Sequence, residues 1–121
     1  LQLLGSRRIS KEYGDLVETV NMETGNGFTF DYQYDAPGHP QNFYCRSDHW
    51  SFARYDIPVV FFSTGGHRDY HIVTDEPQYI NYPHYTKVTQ FIYDVMNRVS
   101  NLDHTLKVDK RANNPNQACV Q

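Results

Sequence analysis

Two stretches of the chain carry a helical rhythm of apolar residues. In the first, Tyr13, Leu16, Val17 and Val20 recur at steps of three and four behind Ser10, whose hydroxyl suits a helix N-terminus. Gly25 to Gly27 stops the pattern, so a helix is predicted over Ser10 to Asn21. In the second, Val88, Phe91, Ile92, Val95, Met96 and Val99 keep the same spacing after Pro83, which predicts the strongest helix over Pro83 to Asn101. Other segments read as extended. Phe28-Thr29-Phe30-Asp31-Tyr32 alternates rings with polar residues at period two, as in a half-covered strand, whereas Val59 to Phe62 is uninterruptedly apolar, as in a strand covered on both faces. Leu1 to Leu4 reads as the end of a buried strand closed by Gly5-Ser6. Asp35 to Asn42, holding Pro37, Gly38 and Pro40, reads as loop. A shorter helix is expected from Ser47 to Tyr55, with Ser47 as its cap, Asp48 favourable in its first turn, and Trp50 and Phe52 in the core.

Alternating strands and helices argue for an α/β fold, a layered and largely parallel sheet flanked by helices. Residues 1–106 are expected to form one domain and residues 107–121 a polar, mobile tail. With 121 residues there is room for one real core, and ten tyrosines place many polar-tipped rings at its boundary. A net charge of −3 gives no electrostatic footprint for nucleic acid or an anionic membrane. The longest apolar run, Ile57 to Phe62, is too short to span a bilayer. Cys45 and Cys119 show no metal-site spacing and read as free thiols, with a bridge between them as the alternative in an oxidising compartment.

Ligands of such sheets sit beyond the carboxyl ends of the strands, which points to the loop after Phe62. It carries Gly65-Gly66 and then His67 and His71, whose spacing of four would put both on one metal in a helix; the glycines argue against that helix. Across from this loop lie Arg46, a candidate for holding a peptide carbonyl or carboxylate, and Ser47-Asp48-His49. Three consecutive side chains at a helix start diverge, so Ser47, Asp48 and His49 do not make a nucleophilic relay. Capping explains the first two better.

Taken in order, Ser47-Asp48-His49, Ile57-Pro58, Thr64-Gly65, Asp69-Tyr70-His71 and Thr74-Asp75 resemble the C-terminal part of the clan MH zinc exopeptidases. That family includes bacterial aminopeptidases, glutamate carboxypeptidases and the transferrin-receptor ectodomain, and the resemblance runs from about Leu4 to Lys110. It implies that His71 is a metal ligand and that Tyr70 donates to the oxyanion formed at a scissile carbonyl, an aromatic wall being the equal alternative for Tyr70. Arg46 and Ser47 would help bind substrate. Asp75 would steady the His71 imidazole or, preferably, cap the following turn, and Glu76 departs from the threonine common at its position. The implied chemistry is peptide hydrolysis by water activated on two zinc ions, with the other ligands and the general base upstream of Leu1. This chain alone is therefore expected to be inactive. The implied partners are a peptide substrate and the missing N-terminal half of the domain, with self-association as a further expectation from uncovered edges. A secreted or periplasmic setting also follows from the resemblance, and the alternative function is a non-catalytic binding or scaffold module of the same fold.

Overall fold

In the computed structural model, which describes residues 1–111 and 115–121, helix α1 spans Lys11–Glu23. Ser10 caps it from an extended backbone, its hydroxyl accepting from the Tyr13 N–H at 3.1 Å. At the other end Thr24 and Gly25 donate to the Val20 and Met22 carbonyls, Gly25 at a φ of 66° that costs glycine nothing. Helix α2 is the five-residue His49–Ala53, and α3 is Tyr82–Ser100. The Asn81 side chain caps α3 by accepting from His84 N–H at 3.1 Å, with Pro83 in the first turn where no intrahelical donor is needed.

Strand β1, Gln2–Leu4, pairs antiparallel with β2, Phe61–Ser63, in the register Leu3 to Phe62. On the other side of β1 the segment around Asp31 adds one parallel bridge to Gln2, made by Leu3 N–H to Asp31 O and Asp31 N–H to Leu1 O. The expected strand over Phe28 to Tyr32 is thus reduced to that bridge, and the expected large parallel sheet is replaced by two antiparallel strands. Helix α1 carries the chain back across the sheet before Asp31, giving the parallel bridge, whereas the connection from Asp31 to β2 is mostly loop and delivers β2 antiparallel to β1.

Two apolar clusters form. Leu3, Val17, Val20, Phe91 and Val95 make the first, with Phe28, Phe30, Val60 and Phe62 packed around it, so that α1 and α3 cover one face of the strands. Asn21 closes this cluster at the rim by donating to Phe28 O at 2.9 Å and accepting from Phe28 N at 3.0 Å. Met96, grouped by periodicity with the inward residues of α3, is 64% exposed, and Tyr85 and Tyr93 are exposed beside it. The second cluster is Ile9, Tyr44 and Ala53, with Cys45, Trp50, Val59, Val108 and Cys119 against it. Gly5 joins the two regions at a φ of 81°, where a β-carbon would lie 2.9 Å from the Tyr44 ring. Phe52, expected in the core, is 55% exposed because α2 is too short to bury two faces.

The cysteines are not free thiols. Cys45 and Cys119 form a disulfide with Cα atoms 5.6 Å apart. Of the expected mobile tail 107–121, described residues lie against the body: Asp109 and Lys110 N–H donate to Ile9 O, and Gly38 N–H donates to Gln121 O; residues 112–114 lie outside the described residues. No helix among the described residues is long and apolar enough to cross a membrane.

Candidate functional site

Beyond the end of β2 the chain enters a run of nested turns. Ser63 Oγ accepts from Gly65 N–H at 3.0 Å, and Tyr70, Ile72 and Asp75 N–H then donate in succession to His67, Asp69 and Ile72 O. Thr74 Oγ1 donates to Asp69 Oδ1 at 2.6 Å, bracing the same turns. The loop faces the Phe43–Ser47 segment across a cleft of about 760 Å³. Arg46, Ser47, Tyr70 and His71 all line this cleft, together with Tyr34, Gln41, Phe43, Phe61 and Ser63. Four of the residues singled out in the sequence therefore share one concave surface.

His71 sits at a φ of 60°, left-handed backbone that a residue with a β-carbon adopts at a cost of about 1–3 kcal/mol and that recurs at binding sites. Its side chain is exposed and makes no hydrogen bond to a described residue; the Tyr70 ring lies beside it, centroids 4.1 Å apart. Tyr70 is 46% exposed, so the ring is neither core nor freely projecting. On the opposite wall Arg46 donates to Gln41 O at 3.0 Å while its guanidinium lies 5.2 Å from the Phe43 ring centre, which holds the charge at the cleft.

The two aspartates stand elsewhere. Asp48 precedes α2 in helical conformation and its carboxylate makes no capping hydrogen bond; the turn is closed by main-chain bonds from Trp50 to Ser47 O and Ser51 to Asp48 O, so Ser47 does not cap through its hydroxyl either. Asp75 faces His67, with Oδ2 3.8 Å from Nε2, rather than His71. His67 and Asp75 line a separate cavity of about 470 Å³ with His84 and Tyr85. The glycine-rich turns keep His67 and His71 in different cavities, and among the described residues no three His, Cys, Asp or Glu side chains are placed to hold a metal ion.

His49, weighed in the sequence only as a member of a relay, packs behind Phe61 of the cleft. Its ring stacks on Phe61 at 5.0 Å with an interplanar angle of 19° and meets Tyr44 at 5.6 Å. Burial pushes the imidazole below its ordinary range, and the Tyr44 main chain pulls the other way without reaching hydrogen-bonding geometry. Both ring nitrogens are buried without a partner among the described residues, so the neutral form is the one this site favours. Sequence reasoning missed Tyr34 and Phe43. They are loop aromatics with no periodicity to mark them, meeting edge to face with centroids 5.4 Å apart.

Residues 4–96, which include both walls of the cleft, match the model of peptidase family M28. The chain belongs to peptidase family M28. Comparison with curated proteins and with solved structures gave no match. Membership places this M28 chain in a class of peptidases that are generally zinc-dependent. The match stops at Met96, so Cys119 and Gln121 lie outside the matched residues of the M28 chain.

Proposed function

We propose that this chain is the C-terminal part of a zinc-dependent exopeptidase, an aminopeptidase, to which it contributes one metal-ligand histidine and part of the substrate pocket. The observation that carries the reading is the convergence of Arg46, Ser47, Tyr70 and His71 on one cleft, with the His71 imidazole exposed and unpaired among the described residues. Among the described residues lining the cleft His71 is the one His, Cys, Asp or Glu, and this reading assigns the remaining ligands and the base to a further part of a longer parent chain. Zinc in such enzymes supplies Lewis acidity and an activated water. In this chain Tyr70 donates its phenol hydrogen to the carbonyl oxygen as charge develops there, and Arg46 with Ser47 holds the peptide. The Cys45–Cys119 bridge supports a secreted or periplasmic setting, where disulfides persist.

The test uses a longer enzyme that includes the upstream residues. His71→Ala is expected to lose most zinc and most hydrolysis of aminoacyl substrates. Tyr70→Phe is expected to keep its zinc and lose about 10²–10³ in kcat, the usual cost of one oxyanion donor. Full activity in His71→Ala would overturn the ligand assignment, and full zinc with no turnover in the unaltered enzyme would favour a binding or scaffold module. The 121-residue chain by itself is expected to bind zinc weakly and hydrolyse nothing.

A further inference from the structure

The wall of the cleft formed by Tyr34, Gln41, Phe43, Arg46 and Ser47 has almost no regular structure of its own. It consists of two short 3-10 turns, Gln33–Asp35 and Phe43–Cys45, joined by loop, with Asn42 at a φ of 54°. What holds it from behind is residues 115–121. The Gln121 carboxamide accepts from Tyr44 N–H at 2.9 Å and donates to Tyr34 O and Ala36 O at 3.1 and 3.3 Å, while its main-chain oxygen accepts from Gly38 N–H at 3.0 Å. Gln121 is buried in doing so. Cys119 is bonded to Cys45, the residue immediately before Arg46, and Arg54 donates to Pro115 O. Arg8 also donates to Val120 O at 3.4 Å and is itself bonded to Asp35 of the wall; the other attachments land on the wall or on Arg54 just after α2, and none on the cluster formed by α1 and α3.

We propose that residues 115–121 are a redox-released clasp that positions the Tyr34–Ser47 wall of the cleft. A dithiol supplies two electrons and two protons, the Cys45–Cys119 bond breaks to two thiols, and the dithiol closes to its own disulfide. Both cysteines are only partly buried, which leaves the bond open to such a reagent. Once it is cut, the carboxamide of Gln121 is held by hydrogen bonds alone, and the wall carrying Arg46 and Ser47 loosens while α1, α3 and the strands stay folded. As regulation of the cleft this rests on reading the cleft as the substrate site; as a statement about the wall it does not.

Amide hydrogen exchange on the 121-residue chain tests it, with Gly38 and Tyr44 reporting the wall and Leu3 and Asp31 reporting the strands. Removing the bridge also lowers the stability of the whole molecule, so the quantity to compare is the ratio of the two. Dithiothreitol, or Cys119→Ser without it, is expected to cut protection at Gly38 and Tyr44 by about tenfold more than at Leu3 and Asp31. Gln121→Ala, with the disulfide intact, is expected to lower protection at Tyr44 and Gly38 and leave Leu3 and Asp31 unchanged, which keeps the test alive if Cys119→Ser fails to fold. Protection that falls in step at all four amides, or does not fall at Gly38 and Tyr44, overturns the clasp. Wall loosening combined with no turnover in the unaltered, zinc-loaded parent enzyme would retain the clasp and sink the peptidase assignment instead.

Discussion

Replacing Phe91 with alanine is the perturbation that most directly tests how this chain is held together. Phe91 is 0% exposed, and its ring is the meeting point of α3, β2 and the segment before the Asp31 bridge, with centroids 5.4, 5.7 and 5.8 Å from Phe28, Phe30 and Phe62. Phenylalanine to alanine in a core costs about 3–5 kcal/mol, the lost transfer energy plus the cavity left behind. Three ring neighbours, each contributing about 0.5–1.5 kcal/mol beyond area, put this site at the upper end. The expected loss is therefore about 4–5 kcal/mol, about a third or more of the stability of a domain that has roughly 5–15 kcal/mol to lose. Phe91→Leu keeps most of the volume and gives up the ring contacts, so about 1–2 kcal/mol is expected. Urea denaturation followed by far-UV circular dichroism measures both. An alanine variant that costs under about 1 kcal/mol, or a leucine variant that costs as much as alanine, would refute the assignment of Phe91 as the shared core residue.

Asn21→Ala leaves the Phe28 N–H and C=O without their partners and is expected to cost about 2 kcal/mol in the same assay. Reducing the disulfide, which joins residues 74 apart in sequence, is expected to remove up to about 4 kcal/mol by freeing the unfolded chain, read as a shift in urea midpoint with and without dithiothreitol. Burial holds the folded pKa of His49 below its ordinary value, so the unfolded chain binds more protons between the two values; stability present above pH about 6.5 falls as pH drops through that window, and His49→Phe should flatten the slope. Parallel slopes for the two proteins would refute it. Asp103 and then Glu12 raise the pKa of His104, which gives the opposite sign: stability is fully present below pH about 6.5 and lost as pH rises through the folded value, so His104→Ala should lose least against the parent at alkaline pH.

The helices were legible because their determinants are local. Ser10, the three-and-four spacing around Val17 and Phe91, and Pro83 act within a turn or two of themselves. Strand direction was not legible, because it depends on how the chain travels between partners, and the connection from Asp31 to β2 is mostly loop without a periodic pattern. The disulfide was hidden for the same reason: nothing near Cys45 or Cys119 shows that Asp109 and Lys110 bond to Ile9 or that Gln121 ends beside Tyr44. The cleft was half legible. Tyr70 and His71 follow the strand exit directly, and Arg46 precedes a short helix, so topology alone put them at the same end. The pairing of Asp75 with His67 needed the nested turns between Asp69 and Thr74, and Tyr34 and Phe43 carry no pattern beyond being aromatic.

Trp50 is the chain's one tryptophan, and it packs against the cluster that also holds Cys45 and Cys119. The tyrosines at positions 82, 85 and 93 line the exposed side of α3, on the far cluster's helix. Nature has thus placed two separate optical probes in one small chain. Emission excited at the red edge of the absorption band samples the indole and its sulfur neighbours alone, while helix ellipticity is dominated by α1 and α3. Unfolding curves that superimpose in the two signals would mean that the clusters melt as one cooperative body; curves that part company would time the loss of one against the other without any label being attached.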